Sequence, residues 1–368
     1  MINLKPSRWL TALAGFVLTP LPHSAVEVDG LRHEPRLRPR SSTSDGRREL
    51  AWRSAPDGTF TTSADLRLGR TRRPQPARPG ARYRAVVDLG PTGVWWSGSW
   101  RAPDDPELDA PHELEALGYG ALWSSGRYDP GLAPHFERLL AATSHVPVAS
   151  GVVSIWHGAP ADVGRDVAAL EAQYGGRFVL GLGVSHAPLT EHYARPYAHM
   201  VAYLDALDAL ETPVPPERRV LAALRPRMLE LAAARAAGAH PYFVPVEHTA
   251  KARGILGPGP LLAPEVAVVL ETDPARAREL ARGYTTGYLT LPNYSQNLRD
   301  LGYDDDDVAG GGSDRLVDAL IAWGDAAAVA ERVRQHHDAG ADHVCLQVIA
   351  DYAAFPLAAY RELAATLF

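Results

Sequence analysis

The chain has 368 residues, of which 46% are hydrophobic and 22% charged, and its formal net charge is −6. Those proportions are ordinary for a globular protein, and the acidic balance argues against a protein devoted to nucleic acid. A single cysteine, Cys345, rules out an internal disulfide or a cysteine-rich metal site and fits a reducing, cytoplasmic compartment.

At the amino end, Lys5 and Arg8 precede an apolar stretch from Trp9 to Leu21, which imitates a secretory signal. The stretch is too short to span a membrane, and His23 and the prolines beside Ser24 and Ala25 spoil the cleavage site. From Leu31 to Gly80 arginine, proline, serine and glycine dominate with little apolar periodicity. Such a composition buries too little surface to order itself. Residues 1–83 are therefore expected to be a poorly ordered basic extension or a misassigned start. No aromatic interleaving of the single-strand-binding kind accompanies the arginines.

From Arg84 onward short apolar runs alternate with alanine-rich amphipathic segments, the pattern of βα units on a parallel sheet. Val86–Leu89 or Gly93–Trp96 supplies the first strand, Ala121–Ser124 the second and Pro147–Trp156 the third. The fourth is Phe178 onward, in RFVLGLGVSH, where Gly181 and Gly183 mark a strand end at which backbone comes close to something else. Arg219–Leu224, Ala239–Val244 and Ala263–Leu270 follow as strands five to seven. Pro226 suits the first turn of the helix after strand five, and Thr272 or Asp273 can cap the helix that begins at Pro274. Residues 291–325 break the rhythm as a helical insertion, and the acidic run Asp304–Asp307 reads as a solvated helix cap. Asp325 then caps a helix leading to the last strand, His343–Ile349. Eight strands with interleaved helices predict a (β/α)8 TIM barrel over 84–368, with the insertion before the last strand.

In such a barrel the site lies at the carboxyl ends of the strands. That rule selects Trp95 and Trp96, Trp123–Ser125, Gly151–Trp156, Gly183–His186, Ala222–Arg225, Pro241–Phe243 and Gln347–Ala350. The set is aromatic and small, without paired carboxylates, and suits a flat, partly apolar ligand. Ser150 and Gly151 interrupt strand three where side chains should fill the interior. GVSHA, at 183–187, is one residue short of a nucleophile elbow, and Pro188 sits badly in the helix an elbow requires. The glycines also lack the third member of a dinucleotide fingerprint, since position 186 is histidine.

The units GVWW, ELEALGYGALW, ASGVVSIW, RFVLGLGVSHAPL and WGDAAAVAERVRQHHDAGADHVCLQV together resemble the bacterial luciferase-like flavin and deazaflavin oxidoreductases, most closely their actinobacterial coenzyme F420 branch. The resemblance spans about Arg84–Phe368. It implies a barrel with the cofactor across its carboxyl end and hydride transfer between coenzyme F420 and a small organic substrate, or alternatively an FMN-dependent luciferase-like monooxygenase. It also implies a strand-three bulge with a cis Gly151–Val152 bond. Cofactor contacts are expected from Gly151, Val152, Val153, Gly183, Val184, Ser185, His186, Ala222, Arg225 and Pro226. His186 is the candidate proton donor or substrate anchor, and Trp95, Trp96, Trp123 and Trp156 are candidate pocket walls. A cytoplasmic homodimer with no nucleic-acid or membrane partner and no metal is expected. Two features depart from the pattern: no carboxylate lies between Leu122 and Tyr128, and Arg225 stands where a glycine is common. Loss of catalysis with retained fold is the reading these departures leave open.

Overall fold

The computed structural model describes residues 88–96, 109–126, 131–191, 193–350 and 355–368, together with two short strands. Those strands, Arg53–Ser54 and Phe60–Thr61, pair antiparallel within a separate unit, residues 20–81. The other residues of the 1–83 extension, including the signal-like stretch, lie outside the described residues.

The main body is built on strands β1 (Thr92–Trp96), β2 (Leu122–Gly126), β3 (Val148–Ser154), β4 (Phe178–Gly183), β5 (Arg219–Leu221), β6 (Gly238–Ala239), β7 (Leu261–Leu262), β8 (Glu265–Leu270), β9 (Ile321–Gly324) and β10 (Val344–Val348). All pairings among them are parallel, in the order β9-β8-β10-β1-β2-β3-β4-β5-β6-β7. The helices are α1 (Ala110–Ala116), α2 (Ala133–Ala141), α3 (Pro160–Tyr174), α4 (Pro196–Asp208), α5 (Pro226–Arg235), α6 (Val246–Leu256), α7 (Pro274–Leu289), α8 (Pro292–Arg299), α9 (Asp305–Val308), α10 (Asp314–Leu320), α11 (Ala326–Asp338) and α12 (Leu357–Leu367). Most of them carry a proline in their first turn, where its missing N–H is harmless and its fixed φ suits the helix. Asp273, Ser313 and Asp325 cap by side chain, and Asp304 and Asp307 form a reciprocal capping box, which is the role of the acidic run.

The expected closed (β/α)8 barrel is corrected. The sheet is an open half-barrel that sweeps 238° and leaves an 18 Å gap. Its end strands, β9 and β7, do not pair with each other. Two local causes are visible. Strand six is expected over 239–244, but β6 is two residues long; the expected strand seven, 263–270, is present as β8, and Pro264, with no N–H to donate, separates it from the two-residue β7 that pairs with β6. Only isolated bonds continue there, from Ala263 N–H to Ala239 C=O and from Glu265 N–H to Pro241 C=O. In addition, Ile321–Gly324, expected to be part of the helical insertion, is the strand β9, added outside β8 in register from Ala267↔Ile321 to Leu270↔Gly324.

The sheet is covered by apolar residues on both faces, as parallel sheets must be. Toward the helices Val94, Leu122, Val148, Leu180 and Leu346 pack with Leu114, Phe136, Leu139 and Leu204. On the inner face the large Trp95 and Trp123 sit among Ala121, Ala149, Val179, Val220 and Cys345. His240 stacks on Trp123 with ring centroids 4.1 Å apart and lies near-parallel to Trp95 at 5.8 Å. The Trp123 indole N–H donates to His343 Nε2 at 3.0 Å, and His343 Nδ1 lies 2.7 Å from Gly90 C=O. Gly93 leaves the room for this histidine, since a Cβ there would lie 2.6 Å from His343 Nε2.

Candidate active site at the carboxyl ends of β3 to β6

The centre of the site is a bulge in β3. Against β2 the pairing steps from Ser124↔Ser150 to Gly126↔Val153, two residues against three. Against β4 it steps from Ala149↔Val179 to Val153↔Leu182, four against three, so β3 holds one extra residue on both sides. The Gly151–Val152 peptide within it is cis. Where the ladder is interrupted, the buried Ser150 hydroxyl accepts the Gly181 N–H at 2.7 Å and donates to the Gly181 C=O at 3.0 Å. A side chain thus replaces a strand's backbone pairing.

Gly181 and Gly183 serve this bulge. A Cβ on Gly181 would sit 1.8 Å from the Ser150 carbonyl oxygen, and one on Gly183 would sit 2.4 Å from Val152 Cγ2 and 3.4 Å from Ala222 Cβ. Val152, Gly183 and Ala222 consequently form a line across the ends of β3, β4 and β5. The inner side of Gly151 is filled, with Trp95 Cζ3 2.6 Å and His240 Nε2 3.2 Å from where a Cβ would stand. A ligand on the bulge therefore meets it from the outer, carboxyl-end side.

Beyond β4 the chain turns through Ser185 at φ +57°, an uncommon conformation for serine. Local bonds hold it: Thr190 Oγ1 donates to Ser185 Oγ at 2.9 Å, and Asn293 Nδ2 on α8 donates to Ser185 C=O at 3.3 Å. Ser185 is thus paired to another hydroxyl. The Trp156 indole N–H donates to Val184 C=O at 2.6 Å and ties the loops after β3 and β4 together. His186 leans on Tyr294 of α8 at 4.9 Å, and its Nδ1 is buried without a partner among the described residues. Burial pushes its pKa down to about 4, so the ring is a neutral imidazole at pH 7.

After β5, Arg225 is the extended N-cap of α5, with Pro226 at the first turn. Its Nε lies 3.1 Å from Asp300 Oδ2 beside α8. After β6, Tyr242 is a hydrogen-bond hub that donates to Gln347 Oε1 at 2.7 Å, accepts from Tyr284 at 2.7 Å and lies 3.0 Å from the Tyr288 hydroxyl. Phe243, at φ +58°, has its N–H held by Glu265 Oε2 at 3.2 Å. Burial pushes the Glu265 pKa up to about 8, against the opposing Phe243 bond, so this carboxyl is mostly protonated at pH 7.

Of the sequence-derived candidates, the structure brings together Gly151, Val152, Val153, Gly183, Val184, Ser185, His186, Ala222, Arg225 and Pro226 along adjoining strand ends. The tryptophans are spread over three environments. Trp95 and Trp123 are in the interior, Trp96 stacks on Phe355 at 4.3 Å within the helix-side core, and Trp156 bridges loops with His199 stacked 4.2 Å away. The strand-end rule selects Tyr242 and its partner Gln347, whereas sequence reasoning missed Asn293, Tyr294 and Glu265. The density of tyrosine and amide side chains in YTTGYLTLPNYSQN was the available signal. No cluster of three metal-ligating side chains occurs among the described residues.

A family model for the luciferase-like monooxygenases matches residues 107–343, more than half of the chain. The chain belongs to the luciferase-like monooxygenase family. Comparison with curated protein sequences finds no match. Among solved structures, an F420-dependent secondary alcohol dehydrogenase in complex with an F420-acetone adduct superposes with a TM-score of 0.57 at 14% identity, covering 76% of this chain and 99% of that one. The coenzyme F420 dependent tetrahydromethanopterin reductase from Methanopyrus kandleri gives 0.53 at 14% identity, covering 76% and 99%. The oxygenating constituent of 3,6-diketocamphane monooxygenase from Pseudomonas putida, in complex with FMN, gives 0.51 at 16% identity, covering 74% and 95%. At these identities the likeness is one of fold, and it embraces proteins of both cofactor types. No helix among the described residues is long and apolar enough to cross a membrane.

Proposed function

We propose that this luciferase-like protein is an FMN-dependent monooxygenase acting on a small organic substrate, with its cofactor across the carboxyl ends of β3 to β5. Membership of the monooxygenase family, over residues 107–343, is the observation that carries this reading. The residues present suit such a group. His186 offers a buried nitrogen without a partner among the described residues at the strand ends, and Arg225, paired with Asp300, stands at the N-terminus of a ten-residue helix, where a phosphate is favoured. When bound, the flavin supplies the redox chemistry. The chain's own part is to shape the outer side of the bulge, to screen it from water with Trp156 and Tyr294, and to present neutral hydrogen-bonding groups. His186, neutral at pH 7, serves as a hydrogen-bonding contact to the bound cofactor instead of a cationic acid.

A second reading, hydride transfer with coenzyme F420 as in the actinobacterial branch, is favoured by two of the solved structures above, both F420-dependent enzymes. Titration of the purified full chain with FMN and with F420, followed by absorbance and fluorescence, separates the two. Micromolar affinity for FMN alone supports the first reading, affinity for F420 alone supports the second, and binding of neither removes both. In this reading residues 84–368 form the catalytic body, 1–83 an extension outside it, and the functional unit is a cytoplasmic homodimer. Light scattering tests the last point.

A further inference from the structure

Helix α8 belongs to the insertion, yet its inner edge reaches the candidate site. Asn293, Asn297 and Asp300 stand at i, i+4 and i+7, a spacing that aligns them along one face. Both ends of this stripe are anchored. Asn293 donates to the Ser185 carbonyl after β4, and Asp300 pairs with Arg225 after β5. Tyr294, on the same side, touches His186. Asn297 is therefore held over the interval between the ends of β4 and β5.

At that place Asn297 is 1% exposed, and neither its Nδ2 nor its Oδ1 has a hydrogen-bond partner among the described residues. A buried carboxamide without partners is costly to the folded state, and natural proteins keep few of them. Nδ1 of His186 is likewise buried without a partner. Leu298 next to it packs into the tyrosine-rich core and shows that apolar residues are accommodated on this helix. Two groups without hydrogen-bond partners among the described residues thus lie on adjoining segments, α8 and the turn after β4, which Tyr294–His186 and Asn293–Ser185 hold together.

We propose that Asn297 is a ligand-binding residue which, together with His186, holds a neutral group of the ring-bearing ligand that carries both a hydrogen-bond donor and an acceptor, a hydroxyl or an amide. The inference rests on the reading above, that a ring-bearing cofactor lies across these strand ends. Asn297 lies between the Ser185 turn and Arg225, on the path from the bulge to the helix N-terminus. That position points to a hydroxyl of the ligand's side chain ahead of an amide of its ring.

The test uses the full chain, wild type, Asn297→Leu and Asn297→Ser, with FMN, F420 and lumichrome, the last being a ring without the hydroxylated chain. Because Leu removes two unpaired polar atoms at similar volume, ligand-free Asn297→Leu is expected to melt several degrees above wild type. The cofactor that binds wild type is expected to bind Asn297→Leu about tenfold more weakly or worse. Asn297→Ser, which keeps one hydroxyl, falls between. Weakened FMN or F420 binding with unchanged lumichrome binding assigns the contact to the chain, and equal weakening of all three assigns it to the ring. Unchanged affinities in both variants overturn the proposal. So does a ligand-free Asn297→Leu no more stable than wild type, because the carboxamide then already has partners. Failure of wild type to bind any probe, with the melting gain present, overturns the cofactor reading and leaves Asn297 supported as a site for a different ligand.

Discussion

Glu265 offers the sharpest quantitative test of the interior. It opens β8, is 1% exposed, and spends one oxygen on the Phe243 N–H while its other oxygen has no partner among the described residues. Burial raises its pKa from 4.5 to about 8. The folded protein then holds this proton more tightly than the unfolded chain does. The stabilising contribution is fully present below pH 4.5, declines as pH rises, and is lost once pH passes about 8. With about 1.4 kcal/mol per pKa unit, the decline reaches ~3 kcal/mol at pH 7 and ~5 kcal/mol above pH 8. Glu265→Gln keeps the shape and the acceptor for Phe243 but cannot ionise. Urea denaturation of both proteins at intervals from pH 4.5 to 8.5 gives a stability difference whose constant part reflects packing and whose pH-dependent part reflects the carboxyl. The variant should gain on wild type by several kcal/mol across that range. A difference constant to within about 1 kcal/mol would show that Glu265 ionises in the folded state as it does in water, and would refute the argument.

His343 tests the opposite sign. Burial pushes its pKa from 6.5 down to about 4, so its contribution is intact above pH 6.5 and lost as pH falls toward 4. His343→Gln, which can still accept from Trp123, should soften the acid-induced loss of stability by ~3 kcal/mol in denaturant titrations at pH 6.5 and 4. Ser150→Ala removes both bonds to Gly181 and is expected to destabilise by ~2 kcal/mol in the same assay. Gly181→Ala, whose methyl would meet the Ser150 oxygen at 1.8 Å, should lose soluble expression, whereas Gly254→Ala, on an exposed helical position with open space around it, should gain about 1 kcal/mol.

Much of the sheet was legible because strands buried on both faces read as plain apolar runs, and prolines announce most of the helices. Thr92–Trp96, Val148–Ser154 and Phe178–Gly183 lie within or close to the expected ranges. Curvature was not legible, since whether a sheet closes depends on how far each ladder runs. In AAGAHPYFVPV only Pro241, which has no N–H to donate, hints that pairing stops after Gly238–Ala239 while the chain goes on to Tyr242 and Phe243. Ile321–Gly324 was hidden for a related reason. Four residues directly after α10 read as one more helical turn, and only contact with β8 makes them a strand.

The candidate site divides along the same line, and that division says which substitutions report on function. Gly151, Gly181, Gly183 and Ser150 were visible as interruptions of apolar strands, but the structure shows that they satisfy one another: the glycines make room for the bulge and the serine hydroxyl replaces its missing ladder. Changing them perturbs folding first, so lost activity there would be ambiguous. Asn293, Tyr294 and Asn297 were invisible because their relevance comes from a contact between α8 and the β4 turn, 108 residues apart in the chain. Asn297, together with His186 on that turn, carries polar atoms without partners among the described residues, and the proposal above gives them a ligand as partner. Substitution at these two positions should therefore change binding more than folding, which makes them, ahead of the glycines, the places where the function of this family member can be read.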